Sequence, residues 1–254
     1  MTAFADILGA LGWQTVLAGL GVCFLAGALG GLSGYGAGML ATTFVAPVVG
    51  PAALIPVISV LMLVNNASRV WFYRHAVDLR TVARLSMVAV PMAWIGAQFY
   101  VRMDSALIQT LLGAVLIASV PLRRLLRGRE VALGPAGVYG IGAAFGFLSS
   151  LIVGAGMLVV PMLMGVGFIG PALLATDAAL AVAVNLAKAV IFGALDALTP
   201  GHFLFALAMG LATVPGTACA AWIVRRTSIR LHTMLIEGLI LLGGATMLAG
   251  ALGG

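Results

Sequence analysis

Two short stretches of the chain place an amide and a cation on one face of an apolar segment. In "LVNNASRVWFY" Asn65 precedes Arg69 by four residues, and in "AVNLAKAVIFGALD" Asn185 precedes Lys188 by three. On a helix, both spacings bring the two side chains together. An anion that gives up its water needs hydrogen-bond donors and positive charge in return, and the two pairs could supply both. Arg69 has a competing explanation, because Trp71 and Tyr73 follow it and an arginine near the end of a span can extend its head to the lipid headgroups. Lys188 lies eight residues before Asp196, roughly 12 Å from the end of its segment, so it is the stronger candidate. Asp177 is eleven residues from Lys188, roughly 16 Å along a straight helix, which is too far for direct pairing unless the helix is broken. It is read either as a proton-coupling carboxylate or as a first-turn residue of the helix that follows Gly-Pro-Ala.

A second feature concerns the backbone. "GYGAGML" at 34–40 and "IVGAGML" at 152–158 repeat Gly-Ala-Gly-Met-Leu, and each is followed by a short apolar piece that ends at "GPA", at 50–52 and at 170–172. Glycine relaxes the backbone and proline removes a donor, so both places are expected to break helices. The N–H groups freed at a broken helix start carry partial positive charge and can bind an anion without a charged side chain. Gly36, Gly38, Gly154 and Gly156 would let such a ligand approach closely, although small residues also serve plain helix packing. Ser33, Ser149 and Ser150 flank the breaks and could donate as well, against the ordinary habit of a membrane serine to bond its own backbone.

Hydrophobic residues form 63% of the 254 and charged residues only 8%, against about a quarter charged in soluble domains. Apolar runs near the roughly 20 residues needed to cross a bilayer recur throughout. Ten segments are predicted, near 10–33, 36–49, 51–73, 82–101, 105–121, 134–152, 154–169, 171–196, 203–224 and 231–252. The first residues lack a basic region and a cleavage site, and are taken as part of the first span. Gly36 falls on Gly154 (154 − 36 = 118), and Pro51 on Pro171 and Asn65 on Asn185 at an offset of 120 (185 − 65). A fixed offset carried through Gly, Pro and Asn indicates a duplicated unit.

The net charge of +6 sits in three clusters, at 69–84, 123–130 and 225–230. Basic loops between apolar segments face the cytoplasm, so the charge orients the chain and does not imply nucleic acid. An even number of segments separates each cluster from the next, which makes the two five-segment units inverted and places both termini outside. The expected architecture is therefore an all-α polytopic membrane protein of about 8–10 transmembrane segments. It has two inverted-topology repeats, 1–125 and 126–254, with Gly-rich broken helices within one membrane domain. Whether 36–49 and 154–169 cross the membrane or re-enter is open. Inverted repeats with interrupted helices are a common build of secondary transporters, whose site lies where the copies meet.

The remaining polar residues point to no other chemistry. Cys23 and Cys219 sit alone in apolar segments and are expected to be small buried hydrophobes. His75, His202 and His232 lie in or beside loops with no metal-binding spacing. Glu237 is read as an interfacial partner of the last basic cluster. No nucleophile with a neighbouring base is visible, so an enzyme is not expected, and neither is a cofactor or a metal.

The two Gly-rich stretches, "GGLSGYGAGMLATTFVAPVVGPAALIPVISVLMLVNNASRV" and "GFLSSLIVGAGMLVVPMLMGVGFIGPALLATDAALAVAVNLAKAV", resemble the duplicated signature of the TauE/SafE family of sulfite and organosulfonate exporters. The likeness covers nearly the whole chain. Gly34, Gly36 and Gly38 with Asn65, and Gly154 and Gly156 with Asn185, stand at the matching positions. Ala37 and Ala155 replace glycines usual in the family, and Ile152 replaces another. The resemblance implies a permease for a small sulfur-containing anion in the bacterial inner membrane. The partners expected are that anion and the lipid bilayer, with a homodimer compatible and no nucleic acid. A channel for the same anions and a non-transporting assembly subunit are the alternatives.

Overall fold

The computed structural model describes residues 2–33, 36–126 and 135–223, and among these it is entirely helical. Eight α-helices follow in order: α1 (Thr2–Ser33), α2 (Ala37–Tyr73), α3 (Leu79–Tyr100), α4 (Ser105–Leu126), α5 (Pro135–Ser149), α6 (Val159–Gly165), α7 (Gly170–Ala194) and α8 (Pro200–Ile223). Five stretches are long and apolar enough to cross a membrane: Gly12–Leu32, Ala37–Ala76, Leu79–Tyr100, Gly170–Ala194 and Pro200–Ala221. Their outer faces expose Trp13, Leu17, Trp94, Phe99, Val190 and Leu211. So much exposed apolar surface fits lipid as the surrounding solvent. The chain is a polytopic membrane protein.

The predicted pieces 36–49 and 51–73 are two helices that meet at a kink at Gly50, where φ 75° and ψ 169° leave the helical region. Pro51 follows with no N–H to offer, so the ladder is already interrupted at this point. Tyr100, at the end of α3, braces the bend from outside: its hydroxyl donates to the Pro51 carbonyl and accepts the Ile55 N–H at 3.3 Å. The corresponding place in the second half is fully broken. A 3-10 turn (Ala155–Leu158) runs into the short α6, and α7 begins afresh at Gly170, itself at φ 55°. No tyrosine stands at the matching distance to brace it, since residue 220 is Ala.

The helices associate in pairs: α1 with α8, α3 with α5, and α2 with α7 at the centre. α2 also packs on α8, as α7 does on α3. Small residues permit the close approaches, because a Cβ on Gly27 or Gly216 would strike the backbone carbonyl of Thr213 or Phe24 between α1 and α8. Gly146 and Gly96 do the same against the carbonyls of Ala89 and Phe147 between α5 and α3. One core cluster surrounds α2 with Leu54, Val57 and Leu61, and another joins Leu85 and Ala89 of α3 to Val159, Leu163 and Val184. Cys23 is fully buried as expected, but Cys219 is exposed. It lies on a face of α8 that no described helix covers, and a thiol in lipid behaves as a small hydrophobe there too.

Between α2 and α3 the chain turns at Asp78, whose carboxylate accepts the N–H groups of Arg80 (2.9 Å) and Thr81 (3.3 Å) and the Thr81 hydroxyl (2.9 Å). This is a helix N-cap. These bonds, led by the Thr81 hydroxyl, hold the Asp78 carboxyl below its ordinary value. A carboxylate whose pKa is depressed on folding stabilises the fold above its unfolded pKa of about 3.9 and loses that effect as pH falls through the folded value. Asp78→Ala is therefore expected to lower the thermal midpoint in detergent at pH 7. The gap from wild type should close in scans below about pH 4, and a gap unchanged with pH would assign the loss to something other than the cap.

The basic residues 127–130 and 225–230, the predicted segment 231–252, Glu237 and His232 lie outside the described residues.

A candidate anion site at two abutting helix breaks

Gly36 and Gly154 carry the same unusual backbone, φ 94° and φ 96°, in the left-handed region that disfavours any residue with a side chain. Each directly precedes a helical start, α2 in one case and the 3-10 turn leading to α6 in the other, and neither start has a side-chain cap. The two breaks lie against one another. A Cβ on Gly38 would come within 3.2 Å of Val153 Cγ1, and one on Gly154 would collide with Met39 Cε. At Gly36 and Gly156, in contrast, a Cβ would meet nothing within 4 Å. That open space is a cavity with about 100 Å³ of free volume, lined by both breaks and by α2, α5 and α7. It has room for a few waters or one small oxyanion. First-turn N–H groups have no partner within their own helix, and residues 36–38 and 154–156 of the two breaks line the cavity.

Eight candidate binding residues read from the sequence line this one cavity, Gly36, Gly38, Asn65, Arg69, Gly154, Gly156, Asn185 and Lys188, together with Asp177; Ser149 also lines it and Ser150 does not. Their burial is high for such polar groups. Asn65 is 1% exposed, Arg69 2%, Lys188 4%, Asp177 4% and Asn185 8%. Burying a charge is costly unless it is paired, so charges kept inside a membrane helix mark functional positions more often than structural ones.

Arg69 does not reach for the headgroups. Its Nη2 forms a salt bridge to Asp177 Oδ2 at 3.1 Å and donates to the Leu174 carbonyl at 3.2 Å, while Nη1 donates to Asn66 Oδ1 at 2.9 Å. Its Nε is buried with no partner among the described residues. Trp71 is the residue that faces outward, 66% exposed, with the Arg74 guanidinium 5.0 Å from its ring. The snorkelling expected as an alternative for Arg69 is thus taken by Arg74, one turn and a residue further on. Asp177, which has no possible partner on its own helix, finds one 108 residues away in sequence.

Lys188 is held differently. Among the described residues its single hydrogen bond is to the Ser149 carbonyl at 2.8 Å, from the last turn of α5, and no carboxylate lies within salt-bridge reach. Ser149 and Ser150 turn their own hydroxyls to the Gly146 carbonyl, and Ser150 also to that of Ala93 at 2.9 Å. They are therefore not the donors to a ligand considered from the sequence. Asn65 sits between helices, its Oδ1 3.4 Å from Thr217 Oγ1 of α8 and its amide close to Gly30 of α1. Asn66, Thr217 and the Leu174 carbonyl were not foreseen. The doublet "NN" at 65–66 carries the only sequence signal for them, since one of two adjacent asparagines must turn about 100° away from the other on a helix.

Two buried cations, one buried carboxylate and two helix breaks thus surround one small central cavity in a polytopic membrane protein. The chain belongs to the sulfite exporter TauE/SafE family, whose model matches residues 19–247. Neither the curated proteins nor the solved structures contain a match.

Proposed function

We propose that the chain is a secondary transporter that exports a small sulfur-containing anion, such as sulfite or an organosulfonate, by alternating access across the bacterial inner membrane. One observation carries this reading: both Gly-Ala-Gly breaks, Arg69 and Lys188 converge on a single cavity. The anionic head would lie against the N–H groups at Gly36–Gly38 and Gly154–Gly156. Asn65 and Asn185 would hydrogen-bond it, and Lys188, whose charge no described carboxylate balances, would offset its charge with Arg69 beside it. Asp177 is the residue proposed to carry a coupled proton. A nucleophile with base and orienter is not assembled among the described residues lining the cavity, which favours transport over catalysis.

The same reading divides the chain into inverted units 1–125 and 126–254. Four observations support it. Gly36 and Gly154 share a left-handed backbone, Gly50 and Gly170 both have positive φ, and the pairs α1·α8 and α5·α3 exchange under the division, as do α2·α8 and α7·α3. The exposed Arg74, between α2 and α3, and the exposed Arg80 and Arg84, in the first turns of α3, favour the cytoplasmic side for that connection.

Flux of labelled sulfite and of a small organosulfonate into proteoliposomes tests the proposal. A carrier should give saturable uptake, and it should accumulate an anion that travels with a proton against a gradient when a pH difference is imposed. A channel would only equilibrate it, and an assembly subunit would show no flux.

A further inference from the structure

We infer that the charge of the cargo decides whether a proton travels with it: a monoanion crosses alone, and a dianion crosses with one proton carried on Asp177. The inference deepens the transporter reading above and rests on it. Among the described residues, three ionisable side chains line the cavity, Arg69, Lys188 and Asp177. The groups around Asp177 add no further charge to the cavity. α2 presents Arg69 and then Tyr73, the turn after it carries Arg74 and His75, both exposed, and Arg80 and Arg84 of α3 are exposed. Asp78, before α3, spends its backbone N–H on Thr176 Oγ1 and its carboxylate on its own cap. On α7 itself only Lys188 joins Asp177 at the cavity, and α5 contributes Phe145 and Ser149.

With Asp177 ionised and bridged to Arg69, and with Lys188 protonated, the site carries one net positive charge, located on Lys188. A monoanion neutralises it. A dianion leaves one negative charge in excess among side chains that are themselves buried, where unbalanced charge is disfavoured. Neutrality returns if the Asp177 carboxylate takes one proton from the water on the side the anion enters. Protonation weakens the 3.1 Å bridge, and Arg69 then turns its Nη2 N–H to the anion. Release on the other side reverses both events: the anion leaves, Asp177 gives its proton to the water there, and the bridge to Arg69 closes again. Both cargoes therefore move one net negative charge per cycle, a monoanion alone or a dianion with one proton. Sulfite, which titrates near neutral pH, satisfies the site in either form because the proton can sit on the anion or on Asp177.

The test uses the wild-type protein in proteoliposomes with two probes of fixed charge, methanesulfonate as the monoanion and thiosulfate as the dianion. A pH-sensitive dye inside counts protons, and K⁺ movement through valinomycin counts charge. The expected result is one proton per thiosulfate and none per methanesulfonate, with one K⁺ per anion for both. Two K⁺ per thiosulfate, or the same proton count for both anions, would overturn the inference while leaving the carrier reading intact. Saturable flux of sulfite with none of either probe would overturn this inference alone, and saturable flux of none of the three would retract the carrier reading with it. Asp177→Asn, checked for folding by gel filtration, should move thiosulfate without a proton and slow methanesulfonate at least tenfold. A proton still travelling with thiosulfate in that variant would equally overturn the role of Asp177.

Discussion

Arg69→Leu is expected to cost about 3–5 kcal/mol of stability, because it leaves the Asp177 carboxylate buried without its cation. Asp177 is 4% exposed and its bridge to Arg69 joins α2 to α7 at the centre of the helical assembly. The double variant Arg69→Leu/Asp177→Leu should recover most of the loss, since removing both charges also removes their desolvation. Thermal unfolding in detergent, with both single variants and the double, measures the coupling between the two sites. A double variant no more stable than the worse single would mean that the bridge is not what holds these helices together. Transport should separate from stability here: the double variant is expected to fold and yet to lose transport of a dianion, for which Lys188 alone leaves one negative charge unbalanced.

Lys188→Leu should have the opposite profile. Its ammonium has one hydrogen bond, to the Ser149 carbonyl, and no carboxylate among the described residues. Replacing an unpaired buried charge with an apolar side chain removes a desolvation cost, so the variant is expected to be as stable as wild type or more so. Binding should suffer instead. A hydrogen bond to a charged group is worth about 1.5–3 kcal/mol, so apparent affinity for the anion should fall by about 10- to 150-fold. Stability and concentration-dependent flux measured on the same preparation distinguish the roles. Loss of stability with flux per folded molecule unchanged would make Lys188 a structural residue that ties α7 to α5.

These two residues show why the site was only partly legible. The cation and amide at Asn65/Arg69 and at Asn185/Lys188 could be found because helical spacing is local, and the chain's composition leaves few polar groups in apolar segments to choose from. Their difference could not. Arg69 stands near the end of a long helix beside aromatic residues, the setting of a snorkelling side chain, and its inward course depends on Asp177, which is supplied by a helix of the other half. Distance along one helix excluded Lys188 as the partner of Asp177 but could not name another.

The helix breaks divide in the same way. Gly-Pro-Ala at 50–52 and at 170–172 marks both interruptions, since glycine permits positive φ and proline lacks a donor wherever they occur. What surrounds each interruption is supplied from elsewhere: Tyr100 of α3 hydrogen-bonds to Pro51 and Ile55 across the first, and no tyrosine stands at the matching position of the second. A membrane protein, the duplicated Gly-Ala-Gly, the breaks and the candidate polar residues all follow from composition and local spacing, because bilayer thickness and backbone sterics act on short stretches of chain. That the two breaks abut, that one cavity receives nine candidate residues, and that one buried cation is paired while the other is not depend on side chains brought together from positions more than 100 residues apart. Those pairings are set by how α2 packs against α7, and no local pattern of residues encodes that packing.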